Sequence, residues 1–274
     1  MEHPESDPKA PSDNTDDASS EQHGSEREPV AADNSDEHNA ESSDERNGDH
    51  DRRIRSFVRR AGRLTPAQSK ALEDLLPRFG VPETPAQISS QSLFGDNRPL
   101  VLEIGFGNGD ALVWMAQQQA DHGFVGLEVH RPGVGHVLRA IETAELNNVR
   151  VLETDAVEFL KHRIAPNSLA GLRIYFPDPW HKKRHNKRRL VQSQFLAMAV
   201  ERLQVGGVIH MATDWEHYAE QMMEVCGQHP ELVNVVAPGA YAERPDWRPV
   251  TRFEQRGRRL GHGVWDLLFR REQN

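Results

Sequence analysis

Short apolar runs alternate with amphipathic segments from about residue 99 to residue 228. The runs that have the length of a buried strand are Leu100–Ile104, Phe124–Val129, Val149–Glu153, Leu172–Phe176 and Val208–Ala212. The segments between and after them that have a helical period are Asp110–Gln119, Val134–Leu146, Ala156–Ile164, Leu190–Leu203 and Glu216–Gln228. This alternation predicts an α/β fold in which a mostly parallel sheet carries helices on both faces.

The C-terminal part of the chain breaks this alternation. Leu232–Val236 and Val264–Arg270 are strand-like runs, and no helical pattern lies between them. We therefore predict an antiparallel closing pair that completes a seven-stranded sheet. The long Pro-, Gly- and Arg-rich connection between the two runs is of a length that is usually functional or mobile.

The segment before the sheet is basic and contains one predicted helix. Thr65 and Pro66 suit the N-cap and first position of a helix that runs to about Leu76, and Pro and Gly between residues 77 and 85 end it. Five arginines surround Phe57 further upstream: Arg52, Arg53, Arg55, Arg59 and Arg60. We predict a tail at residues 1–50, a basic N-terminal segment with one helix at 51–98, and the main α/β domain at 99–274.

The tail accounts for the acidic character of the whole chain. Residues 1–50 contain sixteen Asp or Glu and three Lys or Arg, a net charge of −13. The whole chain carries −9, so residues 51–274 carry +4. The tail has no aromatic residue and few apolar ones, which predicts disorder. Its role stays open between simple solubilisation and shielding of the basic body from nucleic acid.

Several classes of protein are disfavoured by what the sequence lacks. Cys226 is the single cysteine, so no intrachain disulfide or cysteine zinc cluster is expected. The fourteen His residues show no metal-ligand spacing, and we expect no metal. No apolar run reaches the roughly 18 residues of a membrane span, and the acidic N-terminus does not resemble a signal peptide. We expect a cytoplasmic protein with no membrane association and no obligatory protein partner.

A glycine-rich turn follows the first predicted strand. Gly105, Gly107 and Gly109 have G-x-G-x-G spacing, which differs from the dinucleotide-binding G-x-G-x-x-G. Glu103 and Asp110 flank the turn and would repel a phosphate. A cationic ligand with an amino-acid end suits these acids better, and S-adenosylmethionine is such a ligand.

Acidic residues also follow the second and third strands. Glu128 ends the second strand, where an acid can accept hydrogen bonds from ribose hydroxyls. Asp155 follows the third strand, where it can accept from an adenine amino group or cap the next helix. The two roles of Asp155 are compatible, so these positions predict a cofactor site along one edge of the sheet.

The fourth strand ends in a proline-flanked aspartate beside a cationic run. Pro177 and Pro179 restrict the backbone around Asp178, and Trp180 follows. Six cations lie within residues 182–189: Lys182, Lys183, Arg184, Lys187, Arg188 and Arg189. A solvated charged face is one explanation of the run, and binding of a polyanion such as RNA is the one we favour. Asp178 could instead form an Asx-turn, and Trp180 could simply be packed.

These residues together resemble the bacterial tRNA (guanine-N7-)-methyltransferases of the TrmB type. The resemblance covers about residues 53–271, and the acidic tail lies outside it. The motifs that carry it are Arg55–Arg60, Glu103–Gly109, Gly126–Val129, Pro177–His185, Ala212–Asp214 and Thr251–Glu254. Arg252 stands where this family often has Lys, which keeps the cation.

The resemblance implies a class I methyltransferase fold that transfers methyl from S-adenosylmethionine to N7 of a tRNA guanosine, usually position 46 in the variable loop. It implies that Asp178 lies at the reacting centre and contacts both cofactor and guanine. The residues it assigns to the cofactor are Glu103, Gly105, Gly107, Gly109, Glu128, Asp155 and Asp178. The residues it assigns to the substrate are Lys182, Asp214, Thr251, Arg252, Phe253 and Glu254. We expect Lys183, Arg184, Lys187, Arg188 and Arg189 to bind the tRNA backbone.

Two alternatives from other classes remain at this point. A nicotinamide-dependent dehydrogenase could use the same kind of sheet, although the glycine spacing argues against it. A non-catalytic RNA-binding protein could retain a methyltransferase scaffold, although Glu103, Glu128 and Asp178 are all present. How Asp178, Asp214 and Glu254 divide the work also stays open.

Overall fold

The structure is a computed structural model that describes residues 62–84, 86–251, 254–255, 259, 261 and 263–273. The predicted disordered tail and the arginine cluster around Phe57 lie outside these residues, as do Arg252 and Phe253. All described residues belong to the compact unit Arg52–Asn274.

A mixed sheet forms the centre of the described fold. Its strands are β1 Leu100–Ile104, β2 Gly123–Glu128, β3 Val149–Glu153, β4 Leu169–Tyr175, β5 Leu203–Thr213, β6 Leu232–Asn234 and β7 Trp265–Arg271. They lie in the order β3-β2-β1-β4-β5-β7-β6. β7 is antiparallel to both β5 and β6, and the pairs among β1–β5 are parallel. This confirms the predicted seven-stranded sheet with an antiparallel closing strand.

Helices also form in the segments where the sequence pattern predicted them, and their bounds differ from the predicted ones by a few residues in several cases. The described α-helices are α1 Pro66–Asp74, α2 Leu76–Phe79, α3 Ser90–Phe94, α4 Asp110–Gln118, α5 Arg131–Thr143, α6 Ala156–Arg163, α7 Ser193–Arg202 and α8 Glu216–Gly227. Thr65 caps α1 through a capping box with Gln68, as a Thr-Pro start favours. The expectation of one helix in the basic segment is incomplete, because α2 and α3 follow α1.

The sequence pattern missed the secondary structure of the cationic run. Residues Lys183–Arg188 form a single 3-10 helix. α7 begins only at Ser193, three residues after the predicted start at Leu190. Arg189 adopts an extended conformation after the 3-10 helix, and this ends the short helix before α7 begins.

The basic N-terminal segment packs on the main domain. Gln68 of α1 donates from Nε2 to the carbonyl of Pro132 in α5 at 3.1 Å. Leu72 and Phe79 join a buried cluster that also contains Val101 and Val151 of the sheet. The apolar residues of this segment therefore belong to the same core as the strands.

The parallel strands β1 to β5 all end at one edge of the sheet, because they run in the same direction. Glu128 is the last residue of β2, and the loops that follow β1, β3, β4 and β5 carry the glycine turn, Asp155, Asp178 and Asp214. Parallel order therefore brings together the acids that are far apart in the sequence.

Candidate cofactor and nucleic-acid site

The glycine turn after β1 adopts backbone angles that favour glycine. Gly105, Gly107 and Gly109 have φ values of 74°, 60° and 83°. A Cβ on Gly105 or Gly107 would meet no atom within 4 Å, so the space above these residues is open. A Cβ on Gly133 of α5 would collide with the carbonyl oxygen of Gly107. Gly133 therefore lets α5 approach the turn closely, a role that the sequence reading missed.

Glu128 ties the glycine turn to the end of β2. Its Oε2 accepts a hydrogen bond from the Gly107 amide at 2.8 Å. Its Oε1 accepts from the amides of Val129 at 2.6 Å and His130 at 2.9 Å. A carboxylate offers about four acceptor positions, so these bonds leave limited capacity for a ribose. Glu128 thus holds the loop in shape as well as lining the cleft.

Glu103 lies beneath the same turn and is only 2% exposed. Burial raises the pKa of its carboxyl to about 8, while the cation of Arg173 on β4 opposes that shift and the charge of Glu128 adds to it. Among the described residues, none makes a hydrogen bond to its buried Oε2. A buried acceptor without a hydrogen bond is costly, and a donor from a bound ligand would satisfy it.

We expect Glu103→Gln to change how stability depends on pH. The folded pKa lies above the ordinary 4.5, so the folded state binds the proton more tightly than the unfolded state. The wild-type free energy of unfolding should therefore fall as pH rises from about 4.5 to about 8. Thermal melting without ligand at pH 5, 7 and 9 should show this slope, and it should be weaker in the variant.

Glu142→Gln is the matched control for Glu103→Gln, since Glu142 is exposed on α5. It should melt with the wild-type pH slope. If Glu103→Gln keeps that slope too, the carboxyl of Glu103 does not hold its proton near neutral pH and the argument from burial is wrong.

A cleft at this edge of the sheet brings together four of the predicted cofactor residues, Gly105, Glu128, Asp155 and Asp178. It is lined by residues from the ends of β1, β2, β3 and β4: Ile104, Gly105, Leu127, Glu128, Val129, Thr154, Asp155, Ala156, Tyr175, Phe176, Pro177, Asp178 and Leu190. Asp155 also caps α6, accepting from the Val157 amide at 2.8 Å. The expected cap is present, and the side chain lines the cleft as well.

The loop that carries Asp178 has unusual backbone geometry. Phe176 and Trp180 have φ values of 50° and 47°, which is rare for bulky side chains. These two residues bracket the Pro-Asp-Pro sequence. Asp178 is exposed at the cleft, and its carboxylate accepts no hydrogen bond from another described residue. The strain therefore holds a carboxylate with open acceptor positions at the edge of the cleft.

The cationic run does not act as a single surface. Lys182, Lys183, Arg184 and Lys187 are exposed, and Arg188 is half-buried with its guanidinium 3.9 Å from the ring centre of Trp180. The pKa of His185 is lowered, first by partial desolvation and then by the cations around it, Arg184 foremost. The exposed members keep the positive potential that phosphate binding requires.

Arg189 corrects the prediction that it binds the tRNA backbone. It is 2% exposed, and its guanidinium points inward. Nε donates to the carbonyl of Pro179 at 2.7 Å, and Nη1 donates to Gln221 Oε1 at 2.6 Å and His217 Nδ1 at 3.0 Å. Arg189 therefore fastens the Asp178 loop to α8 and is unavailable to phosphates.

The predicted substrate residues occupy different environments. Asp214 is half-buried directly after β5, Lys182 is exposed, and Thr251 is half-buried, with its hydroxyl accepting from the Glu254 amide at 3.2 Å. Glu254 is 1% exposed and pairs with Arg248. Glu254 is thus placed to support the segment around Thr251 rather than to contact a ligand directly.

The structure contains a buried polar network beneath the loop that carries Asp178, and the sequence did not predict it. Arg248 donates from Nη1 to Glu254 at 2.5 Å and from Nε and Nη2 to Asp266 at 2.7 and 2.8 Å. His210 bonds to Asp266 through Nε2 at 2.8 Å and to the Tyr175 hydroxyl through Nδ1 at 2.9 Å. A charged Arg and Asp next to apolar strand residues are a weak signal in sequence, because such residues are usually exposed.

The network fixes the protonation state of His210. Trp247 Nε1 can only donate, and it lies 3.2 Å from His210 Nδ1, so Nδ1 accepts. The proton of the neutral ring is then on Nε2 and is donated to Asp266. Burial lowers the pKa of His210 to about 4, and the Asp266 hydrogen bond only partly offsets this. The ring therefore stays neutral near pH 7.

Some other features of the described residues bear on function. None of the described helices is both long and apolar enough to cross a membrane. In the same residues no group of three or more His, Cys, Asp or Glu is arranged to hold a metal ion.

The geometry of the cleft fits a cofactor with a cationic amino-acid end and a ribose. Glu103 has a buried oxygen without a hydrogen bond, Gly105 and Gly107 leave open space, and Glu128 and Asp155 line the cleft. The acids at successive strand ends disfavour a phosphate in the same place.

The sheet order, the antiparallel β7 and this cleft define a class I methyltransferase. The sequence model of the Methyltransf_4 family, described as "Putative methyltransferase", matches residues 97–267. A tRNA (guanine-N(7)-)-methyltransferase of Paraburkholderia xenovorans is 54% identical over 222 residues, 81% of this chain and 85% of the relative. One from Aeromonas hydrophila is 54% identical over 220 residues, 80% of this chain and 93% of the relative.

The chain therefore belongs to the tRNA (guanine-N(7)-)-methyltransferase family, as its motifs predicted. Among solved structures, a 16S rRNA methyltransferase, KamB, is similar with a TM-score of 0.46 and 15% identity, over 67% of this chain and 92% of that one. Family membership decides against the nicotinamide-dependent dehydrogenase.

Proposed function

We propose that this protein transfers the methyl group of S-adenosylmethionine to N7 of a guanosine in tRNA, and that its target is position 46 in the variable loop. The proposal places this activity in the cytoplasm. The observation that carries it is the exposed Asp178 carboxylate, held at the cleft by a strained loop and followed at once by exposed cations.

The proposed cofactor residues are those of the glycine turn and the strand ends. Glu103, Glu128 and Asp155 would hold the cofactor, with Gly105 and Gly107 allowing its close approach. When bound, S-adenosylmethionine supplies an electrophilic methyl group on a sulfonium centre. Glu103 would be favoured as a carboxylate beside that ligand, since a cation lowers the pKa of a neighbouring acid.

The chain's own contribution to the reaction would be positioning and charge stabilisation. Guanine N7 has a free lone pair that accepts in the major groove, so no base is needed to create the nucleophile. As N7 forms a bond to the methyl carbon, the bond between that carbon and sulfur would break, and the positive charge would pass from sulfur to the guanine ring. Asp178 would accept from the guanine N1–H or exocyclic amine and stabilise that charge. Lys182, Asp214, Thr251, Arg252 and Phe253 would hold the nucleotide in line with the methyl group, and Glu254 would support that segment through its pair with Arg248.

Labelled S-adenosylmethionine and an unmodified tRNA transcript test the proposal directly. After incubation with the protein, chemical cleavage at N7-methylguanosine should cut the transcript at position 46. A transcript with adenosine at position 46 is the control and should stay uncut there. Absence of label in tRNA would refute the proposed activity, and cleavage at another guanosine would refute only the proposed position. A non-catalytic RNA-binding protein would bind both transcripts and label neither.

The exposed cations should account for the salt dependence of tRNA binding. We expect the triple variant Lys183→Gln, Arg184→Gln, Lys187→Gln to bind tRNA more weakly and to lower the slope of log K against log salt by about 2–3. Its affinity for S-adenosylmethionine should not change. Filter binding between about 50 and 200 mM salt measures the slope.

The matched control for the cation variant replaces three exposed cations elsewhere on the surface, Arg139→Gln, Lys161→Gln and Arg270→Gln. It changes the net charge equally and should leave a slope close to wild type. If both triple variants lower the slope alike, general charge rather than this run binds the backbone. Arg189→Gln should differ from both, because its loss should destabilise the loop without lowering the slope.

A further inference from the structure

The aromatic residues around the cleft are not equally available. Trp180 is half-buried, and the guanidinium of Arg188 covers its ring at 3.9 Å. Trp215 is 37% exposed. The other large apolar side chains that are exposed among the described residues are valines: Val205, Val233, Val235 and Val236. Trp215 is therefore the exposed aromatic side chain among the described residues, and it follows β5 at the edge of the sheet that carries the site.

The backbone holds Trp215 firmly in place. Its amide donates to the Thr213 hydroxyl at 3.2 Å, and its carbonyl accepts from Tyr218 at 2.9 Å and Ala219 at 3.0 Å at the start of α8. Thr213 is buried at the end of β5. The backbone position of Trp215 is thus set by the end of β5 and by the start of α8.

Trp215 also contacts the loop that carries Asp178. The rings of His181 and Trp215 lie 4.2 Å apart between centroids and are inclined at 72°. The amide of Phe176 donates to the carbonyl of Ala212 at 2.7 Å, so the loops that follow β4 and β5 lie side by side. Trp215 directly follows Asp214, and its ring partner His181 lies between Asp178 and Lys182 in the sequence.

We propose that Trp215, supported by His181, is a stacking site for an unpaired nucleobase of the tRNA, either the target guanine or a neighbour. This rests on the proposed function. Proteins that bind single-stranded RNA stack unpaired bases on aromatic rings. A base must leave its stack before an enzyme can act on it, and the exposed ring replaces the contacts that the base loses.

The comparison of Trp215→Leu with Trp215→Phe tests the site. Leu keeps an apolar side chain and removes the ring, and we expect tRNA affinity to fall about 5- to 150-fold. Phe keeps a ring and should lose clearly less. The slope of log K against log salt should stay at the wild-type value in both, because stacking is not an ion contact. Melting temperature and S-adenosylmethionine affinity should also stay close to wild type.

Val205→Ala is the matched control, since it removes an exposed apolar side chain near the other end of β5. It should bind tRNA normally. Equal losses in the Leu and Phe variants would overturn stacking, as would wild-type affinity in the Leu variant. A large loss of melting temperature in the Phe variant would instead assign the indole a structural role and overturn the proposal.

Abasic substitutions in the transcript separate the possible bases. Removing the base that Trp215 contacts should erase the difference in affinity between wild type and Trp215→Leu. We expect this at position 46 or at one adjacent position, and persistence of the full difference at all of them would overturn the proposal. Binding is measured without methyl transfer, so a wild type that never methylates tRNA refutes the proposed function separately.

Discussion

Replacing Asp178 with Asn should lower the turnover number by about 100- to 1,000-fold, the effect typical of losing one electrostatic stabiliser of a transition state. Asn keeps the size of the side chain and can still accept one hydrogen bond, but it lacks the charge that would oppose the cationic guanine. Asp178 is exposed and accepts no hydrogen bond from a described residue, so the fold should tolerate the change. Single-turnover methylation with saturating tRNA and cofactor measures the effect.

Asp121→Asn is the control for Asp178→Asn, because Asp121 is exposed just before β2, at the opposite edge of the sheet. It should methylate at the wild-type rate. Melting temperature and cofactor affinity of Asp178→Asn should stay close to wild type. A turnover number within about threefold of wild type would show that the charge of Asp178 does not assist the reaction.

The fold was predictable because its signals are local and periodic. β1 and β3 have the predicted bounds, Leu100–Ile104 and Val149–Glu153, because each is a short run rich in Val and Leu with polar or turn-forming residues on both sides. The strand ends were less clear where polar residues continue a strand. β5 begins at Leu203, five residues before the predicted Val208, and its exposed start is not apolar in pattern.

The site was predictable only in part. Strand-end acids such as Glu128 and Asp155 could be placed because parallel topology brings strand ends together. Arg189 could not, because nothing in a run of cations shows which member turns inward to a carbonyl. The strained φ of Phe176 and Trp180 also leaves no mark in composition. The prolines on both sides of Asp178 indicated a restricted backbone, but they did not show that Phe176 and Trp180 would have positive φ.

The buried ion pairs of Arg248 could not be predicted from the sequence either. Arg248 is 0% exposed, and its guanidinium contacts both Glu254 and Asp266 of β7. Burial alone would raise the pKa of Asp266, but hydrogen bonds from His210 and Arg248 lower it overall. The guanidinium carbon also lies 5.7 Å from the ring centre of Phe176. Through Arg248, the network therefore packs against Phe176 at the start of the loop that carries Asp178.

Arg270→Met is the matched control for the variant Arg248→Met, which is argued in the next paragraph, because each change removes one arginine. Arg270 is exposed on β7, the strand that carries Asp266, and pairs with Glu272 at the surface. Loss of such a surface pair should cost at most about 1 kcal/mol. The cost should hardly change between pH 8 and pH 5.5.

Arg248→Met should lower the free energy of unfolding by about 3–5 kcal/mol, since it leaves buried carboxylates without their cation. In the variant, burial without the guanidinium should hold the pKa of Asp266 above its unfolded value, so stability should recover as pH falls from 8 to 5.5. In the wild type the folded pKa of Asp266 is lowered, so its contribution is kept across that range and is lost only in stronger acid. Urea unfolding at the two pH values measures the difference. Equal losses at both would show that Arg248 stabilises the protein through packing rather than through its charge.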